Sequence, residues 1–227
     1  MNTHELRALV CSMLLGDGSI HKAGAGKTPR DYSYYFSMAH SINQEDFLLW
    51  KASLIDQCLA DHSSDRHCSI SRYLASTNNR RYRTIKASLG FKHFLEPLRN
   101  IAYKNGKKDY SYLLSEATGD RSLAIWMMDD GSEDRRKDSQ SPRYLLHVYS
   151  LSPGEINLSL EWLRHFNLEG RKVLTKSGPR IAFRVSETER IFSLIKPFLA
   201  PLQSMRNKFR RSFDLWDVHK ECPTSCG

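Results

Sequence analysis

The chain has 227 residues, a hydrophobic content of 40% and a formal net charge of +9 at pH 7. This composition excludes an intrinsically disordered protein and leaves room for one large domain or two small ones that fold without disulfides. The positive charge favours a polyanionic partner, of which nucleic acid is the commonest. Apolar runs stay short of the roughly 18 residues that cross a bilayer. We therefore expect no membrane partner.

The N-terminal residues and the cysteines indicate an intracellular protein. The N-terminus lacks the basic region and cleavage site of a signal peptide, so we expect the chain to lie with the host genome, in a bacterial cytoplasm or an organelle, and not to be secreted. Five irregularly spaced cysteines fit a reducing compartment. Zinc is the alternative for two groups, Cys58, His62, His67 and Cys68, and the pair Cys222 and Cys226. Adjacent residues can hardly bind one ion together, and the tail offers two ligands only, so we expect ordinary side chains.

The first half of the chain predicts the element order α-β-β-α-β-β-α. In chain order we expect a helix at 5–15, an extended segment from Gly18, a loop at 23–29, a strand at 32–38, a helix from about 43 to 58, strands at 67–75 and 81–87 around the turn Ser76–Asn79, and a helix at 90–101.

The second half repeats this order. We expect a helix at 121–128, a charged turn at 132–142, a strand at 144–150, a helix capped by Ser152, strands at 171–176 and 180–186, and helices at 187–199 and 201–209. The repeat predicts two domains, residues 1–118 and 119–227.

The strand at 180–186 indicates how the protein uses its charge. Its apolar side chains alternate with Arg180 and Arg184, which places the two arginines on one face and the apolar side chains on a core. We expect Lys172 and Lys176, on the preceding strand, to extend this surface. A solvated outer face is the alternative, but a curved basic sheet suits a DNA groove and its phosphates. The predicted DNA-contacting residues are Ser19, His21, Lys22, Arg72, Arg81, Arg83, Arg143, His147, Lys172, Lys176, Arg180 and Arg184.

Both apolar helices end in Asp-Gly, within the segments Val10–Gly18 and Leu123–Gly131. A single Asp-Gly is a common helix stop, but two copies in the same structural context favour a shared site. Two such helices ending side by side bring Asp17 and Asp130 together. Carboxylate oxygens are hard ligands that suit Mg²⁺, which also binds phosphate. The duplicated motif therefore predicts a metal-dependent site that acts on nucleic acid.

The two segments resemble the motifs of the LAGLIDADG homing endonucleases, in particular the monomeric class with two motifs in one chain. Leu-Ala-x-Trp-x-Met-Asp-Asp-Gly in the second copy is similar to the motif of one intron-encoded subfamily. The resemblance implies an α+β fold of two pseudo-symmetric αββαββα units. It also implies that the motif helices meet at the interface and that antiparallel sheets form a saddle over double-stranded DNA.

The resemblance further implies roles for individual residues. Asp17 and Asp130 are the expected catalytic ligands of Mg²⁺, for which Mn²⁺ can substitute, with the backbone carbonyls of Gly16 and Asp129 as further ligands. By motif position Asp130 matches Asp17, so the Asp129 side chain is expected to cap or to point away. A basic residue is expected near each centre: Lys108 in the first half, with Lys107 as the open alternative, and Lys208 in the second. A lysine without a specific role is the other reading of both positions.

The expected function is a site-specific homing endonuclease that hydrolyses one phosphodiester per strand at a long asymmetric target and promotes intron mobility. The alternative is an RNA maturase of the same fold, with host intron RNA as its partner and with or without cleavage activity. Loss of a motif aspartate would favour the maturase, and both aspartates are present. We do not expect an intein-associated form, because no splicing domain flanks the motifs.

Overall fold

The computed structural model describes residues 3–24, 33–61, 65–77, 80–134 and 142–216. The chain divides into two compact units, Met1–Asp129 and Asp130–Gly227. Most of the predicted loop at 23–29, the tip of the turn Ser76–Asn79 and much of the turn at 132–142 lie outside the described residues, as do His62, Cys222 and Cys226. No helix in the described ranges is long and apolar enough to span a bilayer.

The first unit contains a four-stranded antiparallel sheet in the order β1-β2-β4-β3. Its elements are α1 (Thr3–Leu15), β1 (Ser19–Ala23), β2 (Ser33–Ser41), a 3-10 turn (Ile42–Gln44), α2 (Glu45–Ala60), β3 (Ser69–Thr77), β4 (Arg80–Gly90), α3 (Lys92–Ala102), the hairpin β5 (Tyr103–Lys104) and β6 (Lys107–Lys108), α4 (Tyr110–Glu116) and α5 (Gly119–Asp130).

Period-2 alternation divides this sheet into two faces. Ile20, Phe36 and Ile85 are buried on the face that packs against α2 and α3. The other face carries side chains at the alternate positions, and we call it the polar face of the first sheet. Strand register groups Ser19, His21, Tyr35, Ser37 and Lys86 on it.

The second unit contains a sheet of the same kind, in the order β7-β8-β10-β9. Its elements are β7 (Gly131–Asp134), β8 (Arg143–His147), α6 (Pro153–Arg164), β9 (Gly170–Thr175), β10 (Gly178–Phe183), α7 (Val185–Leu199), α8 (Gln203–Lys208) and α9 (Arg210–Trp216). Tyr144, Leu146 and Ile181 are buried on its core face. The alternate positions form the polar face of the second sheet, which includes Ser132, Arg143, His147, Arg171 and Arg180.

These elements confirm the α+β class and the αββαββα order in each half. Ser152 caps α6 as predicted, in a capping box with Glu155 and with Pro153 at the start of the helix. Helix α5, which opens the predicted second half, packs with the first unit, so the compact units divide after Asp129. The boundary of the sequence repeat at 118/119 stays a prediction.

The last strand is shorter than predicted. Strand β10 ends at Phe183, and Val185 begins α7 with 45% of its surface exposed. Arg184 is the N-cap residue of this helix, and its carbonyl accepts hydrogen bonds from the Glu187 amide and the Thr188 hydroxyl. The prediction that Arg184 lies beside Arg180 on a strand face is therefore wrong, because a helix start satisfies its backbone instead.

Candidate active site

The two motif helices, α1 and α5, are in direct contact. The hydroxyls of Ser12 and Ser122 lie 2.7 Å apart in a buried hydrogen bond. At the tip of α1 there is no room for a side chain at Gly16, since an added Cβ would lie 2.3 Å from Asp129 Oδ2. Ser12 and Gly16 are small residues at positions of close approach, which lets the two helices lie close together.

Three side chains gather at the tip of α1. The ligand atoms of Asp17, His40 and Asp129 all lie within 4.8 Å of one another. His40 lies with Nδ1 3.5 Å from Asp17 Oδ2 and with Nε2 3.6 Å from Asp129 Oδ1. The Asp17 carboxylate is 46% exposed, whereas that of Asp129 is fully buried. The cluster therefore presents one carboxylate outward and keeps the other inside.

The Asp129 side chain binds the backbone at the end of the first motif. Its Oδ2 accepts a hydrogen bond of 3.2 Å from the Asp17 backbone amide. The expectation that this side chain points away is wrong, because it lies in the cluster and binds the backbone that follows α1, whereas the capping role stays a prediction. In the described ranges the only group of three acidic, histidine or cysteine side chains close enough to share an ion is this one. The predicted metal role of Asp130 stays a prediction.

Lys51 of α2 is the fourth side chain of the cluster. Its side chain is fully buried, Nζ donates a 2.7 Å hydrogen bond to Asp129 Oδ1, and it lies 4.4 Å from the centre of the Phe47 ring. Removal of one partner of a buried ion pair lowers the stability of the folded protein by about 3–5 kcal/mol, because the remaining charge is left without compensation. Lys51 and Asp129 therefore depend on each other.

Neither His40 nor Lys51 is among the site residues predicted from the sequence. A signal for Lys51 was present, since it lies on the apolar stripe of α2 between Phe47, Leu48 and Ile55, where a charge is seldom buried without a partner. His40 gave no comparable signal, because a histidine near the end of a strand is common.

Lys108 reaches the first motif from the β5–β6 hairpin. Its Nζ donates a 2.7 Å hydrogen bond to the Gly16 carbonyl. Asn105 and Gly106 form the turn with φ of 51° and 77°, which suits a tight hairpin. Lys107, the alternative, has an exposed side chain. The structure thus brings together Gly16, Asp17 and Lys108, three residues predicted for one site.

Each unit has a serine hydrogen-bonded to a histidine, and the serine lies two residues after the motif aspartate. In the first unit His21 Nε2 lies 2.6 Å from Ser19 Oγ and 3.0 Å from Ser37 Oγ, and its ring stacks on Tyr35. Burial lowers the pKa of His21, and the nearby charges of Lys86 and Arg99 lower it further. We expect a neutral imidazole on this polar face at neutral pH.

The second unit has the corresponding pair. Ser132, which follows its motif aspartate as Ser19 follows Asp17, lies 2.8 Å from His147 Nε2. The other ring nitrogen is 2.8 Å from the Tyr149 hydroxyl. Burial lowers the pKa of His147, with the charges of Arg180 and Lys208 acting in the same direction. Lys208 therefore lies within electrostatic range of the second motif's serine–histidine pair.

Strand register distributes the predicted DNA-contacting residues over both faces of each sheet. Lys172 is opposite the buried Ile181, whereas Arg180 is opposite Val173, so Lys172 and Arg180 point to different faces. The prediction that they share one basic surface is wrong, because facing residues of an antiparallel pair lie on the same side. Lys176 lies in the turn after β9, and Arg184 pairs with Glu169 at 3.9 Å.

The first sheet divides in the same way. Four predicted residues lie on the face opposite to its polar face, where the helices pack: Lys22, Arg72, Arg81 and Arg83. On that side Arg72 forms an ion pair with Glu45 of α2. The predicted residues that do lie on a polar face are Ser19, His21, Arg143, His147 and Arg180. Lys86 and Arg171 also lie on these faces and are not among the predicted residues. Lys86 was detectable, since it alternates with Ile85, Ala87 and Leu89.

Comparison with known proteins decides the family. The profile of the LAGLIDADG DNA endonuclease family matches residues 7–191. The chain belongs to this family. As a LAGLIDADG protein it resembles in fold the homing endonuclease I-WcaI bound to its DNA recognition sequence, with 20% identity, a TM-score of 0.66 and coverage of 91% of this chain and 86% of that one. It also resembles I-SmaMI bound to uncleaved DNA in the presence of calcium ions, with 8% identity, a TM-score of 0.51 and coverage of 94% and 92%.

Two curated relatives match this LAGLIDADG chain over part of their length. A protein named RecA from Mycolicibacterium chitae is 24% identical over 204 residues, which are 85% of this chain and 44% of the relative. A probable intron-encoded endonuclease from Wickerhamomyces canadensis is 30% identical over 84 residues, 36% of each chain. The chain thus matches less than half the length of either relative.

Proposed function

We propose that this protein is a site-specific, metal-dependent endonuclease of double-stranded DNA that cuts one phosphodiester in each strand of a long asymmetric target and so promotes intron mobility. The observation that carries the proposal is the meeting of the exposed Asp17 carboxylate, the Gly16 carbonyl and the Lys108 ammonium at the tip of a motif helix. Similarity to a protein named as a homing endonuclease and to one named as a probable intron-encoded endonuclease supports it.

The donor groups fit a hard divalent cation. Asp17 offers a carboxylate that is 46% exposed, and Gly16 offers a backbone oxygen. Such oxygens suit Mg²⁺, and Mn²⁺ accepts the same set. Asp17 and Asp130, with the carbonyls of Gly16 and Asp129, would hold it. A bound divalent cation supplies a water of lowered pKa and stabilises the leaving 3′-oxygen.

The chain's own groups orient the phosphodiester and stabilise charge. Lys108, held against Gly16, carries a positive charge that favours the additional negative charge of the pentavalent phosphate, and Lys208 has the corresponding role in the second unit. The polar faces bind the duplex, with Lys86, Arg171 and Arg180 on phosphates and the neutral rings of His21 and His147 as hydrogen-bonding groups. We propose a monomer that acts where the host genome lies.

Cleavage of a plasmid carrying a target selected from a random DNA library tests this function. Asp17→Asn and Asp130→Asn should each lower the rate of linearisation by at least about 100-fold, since each variant removes a charged oxygen needed at the reacting phosphate. Binding of the target in EDTA should stay close to that of the wild type. If either variant linearised the plasmid at the normal rate, a site built on both motif aspartates would be excluded.

A further inference from the structure

Among the described residues, the positions that correspond to the neighbours of Asp17 hold side chains of different chemistry around the second motif. The two units can be aligned through their first strand pairs, since Ser37 pairs with Ser19 in the first unit and Leu145 pairs with Ser132 in the second. Helix α2 begins the same number of residues after Ser37 as α6 begins after Leu145. By this correspondence Val148 and Ser159 stand where the first unit has His40 and Lys51. At the motif position of Asp129 the first copy has Gly16. An imidazole, an ammonium and a carboxylate are thus replaced by a valine, a serine and a glycine.

The Asp129 carboxylate is poorly suited to bind a metal ion through its side chain. It is fully buried, and Oδ1 is already bound by the Lys51 ammonium at 2.7 Å. The positive charge of Lys51 would repel a cation at the same oxygen. The other oxygen, Oδ2, accepts the Asp17 amide. Both oxygens are therefore engaged in holding neighbouring groups.

The arrangement instead fixes the position of Asp17. Asp129 holds the Asp17 backbone through its amide, and the Gly16 Cα packs so closely on Asp129 that a methyl group would collide. His40, 3% exposed, lies within 3.6 Å of both carboxylates and fills the space between them. Lys51 holds Asp129 through their buried ion pair. Four groups thus limit the movement of one exposed carboxylate.

We propose that Asp129, Lys51 and His40 are positioning residues that preorganise Asp17, and that the second centre does not depend on the residues at the corresponding positions, Gly16, Ser159 and Val148. The inference rests on the proposed endonuclease function, in which Asp17 is a metal ligand. Loss of the cluster should impair the centre of Asp17 more than the other centre, so that one strand is cut slowly and nicked circles accumulate.

The test compares wild-type protein, Lys51→Met, Asp129→Asn and the double variant on a supercoiled target plasmid. Lys51→Met leaves a buried carboxylate without its partner, and its thermal midpoint should fall by about 10 °C. The double variant removes both charges and should recover most of this loss. In the folded double variant, linearisation should be about 10–100-fold slower than in the wild type, with nicked plasmid as the main product.

A second measurement reads the position of Asp17 without turnover. Calorimetric titration of Ca²⁺ into the protein–DNA complex should give an affinity about tenfold lower for the folded double variant than for the wild type. Binding of DNA in EDTA should be unchanged. Ser159→Ala is the matched control, because it changes the buried residue that corresponds to Lys51, and it should leave product distribution and Ca²⁺ affinity unaltered.

The outcomes separate the two proposals. A wild-type protein that binds but never cuts the selected DNA would overturn the endonuclease function. A wild type that cuts, together with a folded double variant of normal linearisation rate and Ca²⁺ affinity, would overturn the positioning role alone. Absence of Ca²⁺ binding by the wild-type complex would also overturn it.

Discussion

At the scale of single residues, one neighbour, Asp129, requires a glycine at position 16. A Cβ at this position would lie 2.3 Å from Oδ2 and 2.6 Å from Cβ of Asp129. This neighbour cannot move aside without disturbing its pairing with Lys51. The glycine in the first motif and the aspartate in the second are therefore complementary, and the asymmetry of the two motifs has a steric cause.

Gly16→Ala should lower the free energy of unfolding by about 1–3 kcal/mol, as expected for overpacking against a fixed group. Urea unfolding measures the change. Gly154→Ala is the control, since no atom lies within 4 Å of its added Cβ, and stability should stay the same or rise by up to about 1 kcal/mol. Equal stabilities of the two variants would contradict the close contact.

His21 and His147 give a prediction for pH. Burial and nearby cations lower the pKa of both from the ordinary value of 6.5, so the folded state holds fewer protons than the unfolded state. Their contribution to stability is complete above pH 6.5 and is lost as pH falls through that value towards the folded pKa. NMR titration of the ring protons should give values below 6.5.

Unfolding measurements at several pH values check the same prediction independently. In a His21→Gln, His147→Gln variant the loss of stability below pH 6.5 should be smaller than in the wild type, because two groups that resist protonation have been removed. A variant with the wild-type pH dependence would show that neither histidine contributes.

At the scale of elements, strand register decides which basic side chains share a surface. Arg180 lies on the polar face of the second sheet and Lys172 on the opposite face, although they belong to neighbouring strands. Arg180→Gln should weaken binding of all DNA sequences alike and lower the salt dependence of log Kd by about one unit, as for a lost phosphate contact. Lys172→Gln is a control of equal charge change, and its slope should stay the same.

A larger effect of Lys172→Gln than of Arg180→Gln would mean that DNA lies on the helix-bearing side of the sheet. Filter binding or fluorescence anisotropy at several salt concentrations measures both slopes. The same pair of variants also tests the solvated-face alternative, under which neither slope changes.

Element order followed directly from local patterns. Alternation in residues 84–89 and the capping residues Ser152 and Glu155 are signals carried by neighbouring positions. The end of β10 was not predictable from alternation, which continues through Val185. A helix start at Arg184 competes with the strand there, and the helix is what forms.

At the scale of the whole molecule, duplication within one chain allows the two halves to differ. The polar face of the first sheet carries Tyr35 and Lys86, whereas that of the second carries Arg171 and Arg180. Identical subunits could not diverge in this way. The proposed target is therefore asymmetric, and the intact aspartates of both motifs favour DNA cleavage over an exclusive role as an RNA maturase.

The sequence by itself determined the αββαββα repeat, the family and the motif aspartates, because these depend on residues close together along the chain. Only the tertiary structure decided that Lys51 pairs with Asp129 and that Lys108 reaches Gly16, contacts between residues 78 and 92 positions apart. It also decided which basic side chains share a face. Such contacts depend on strand register and on the packing of distant elements, which no local pattern specifies.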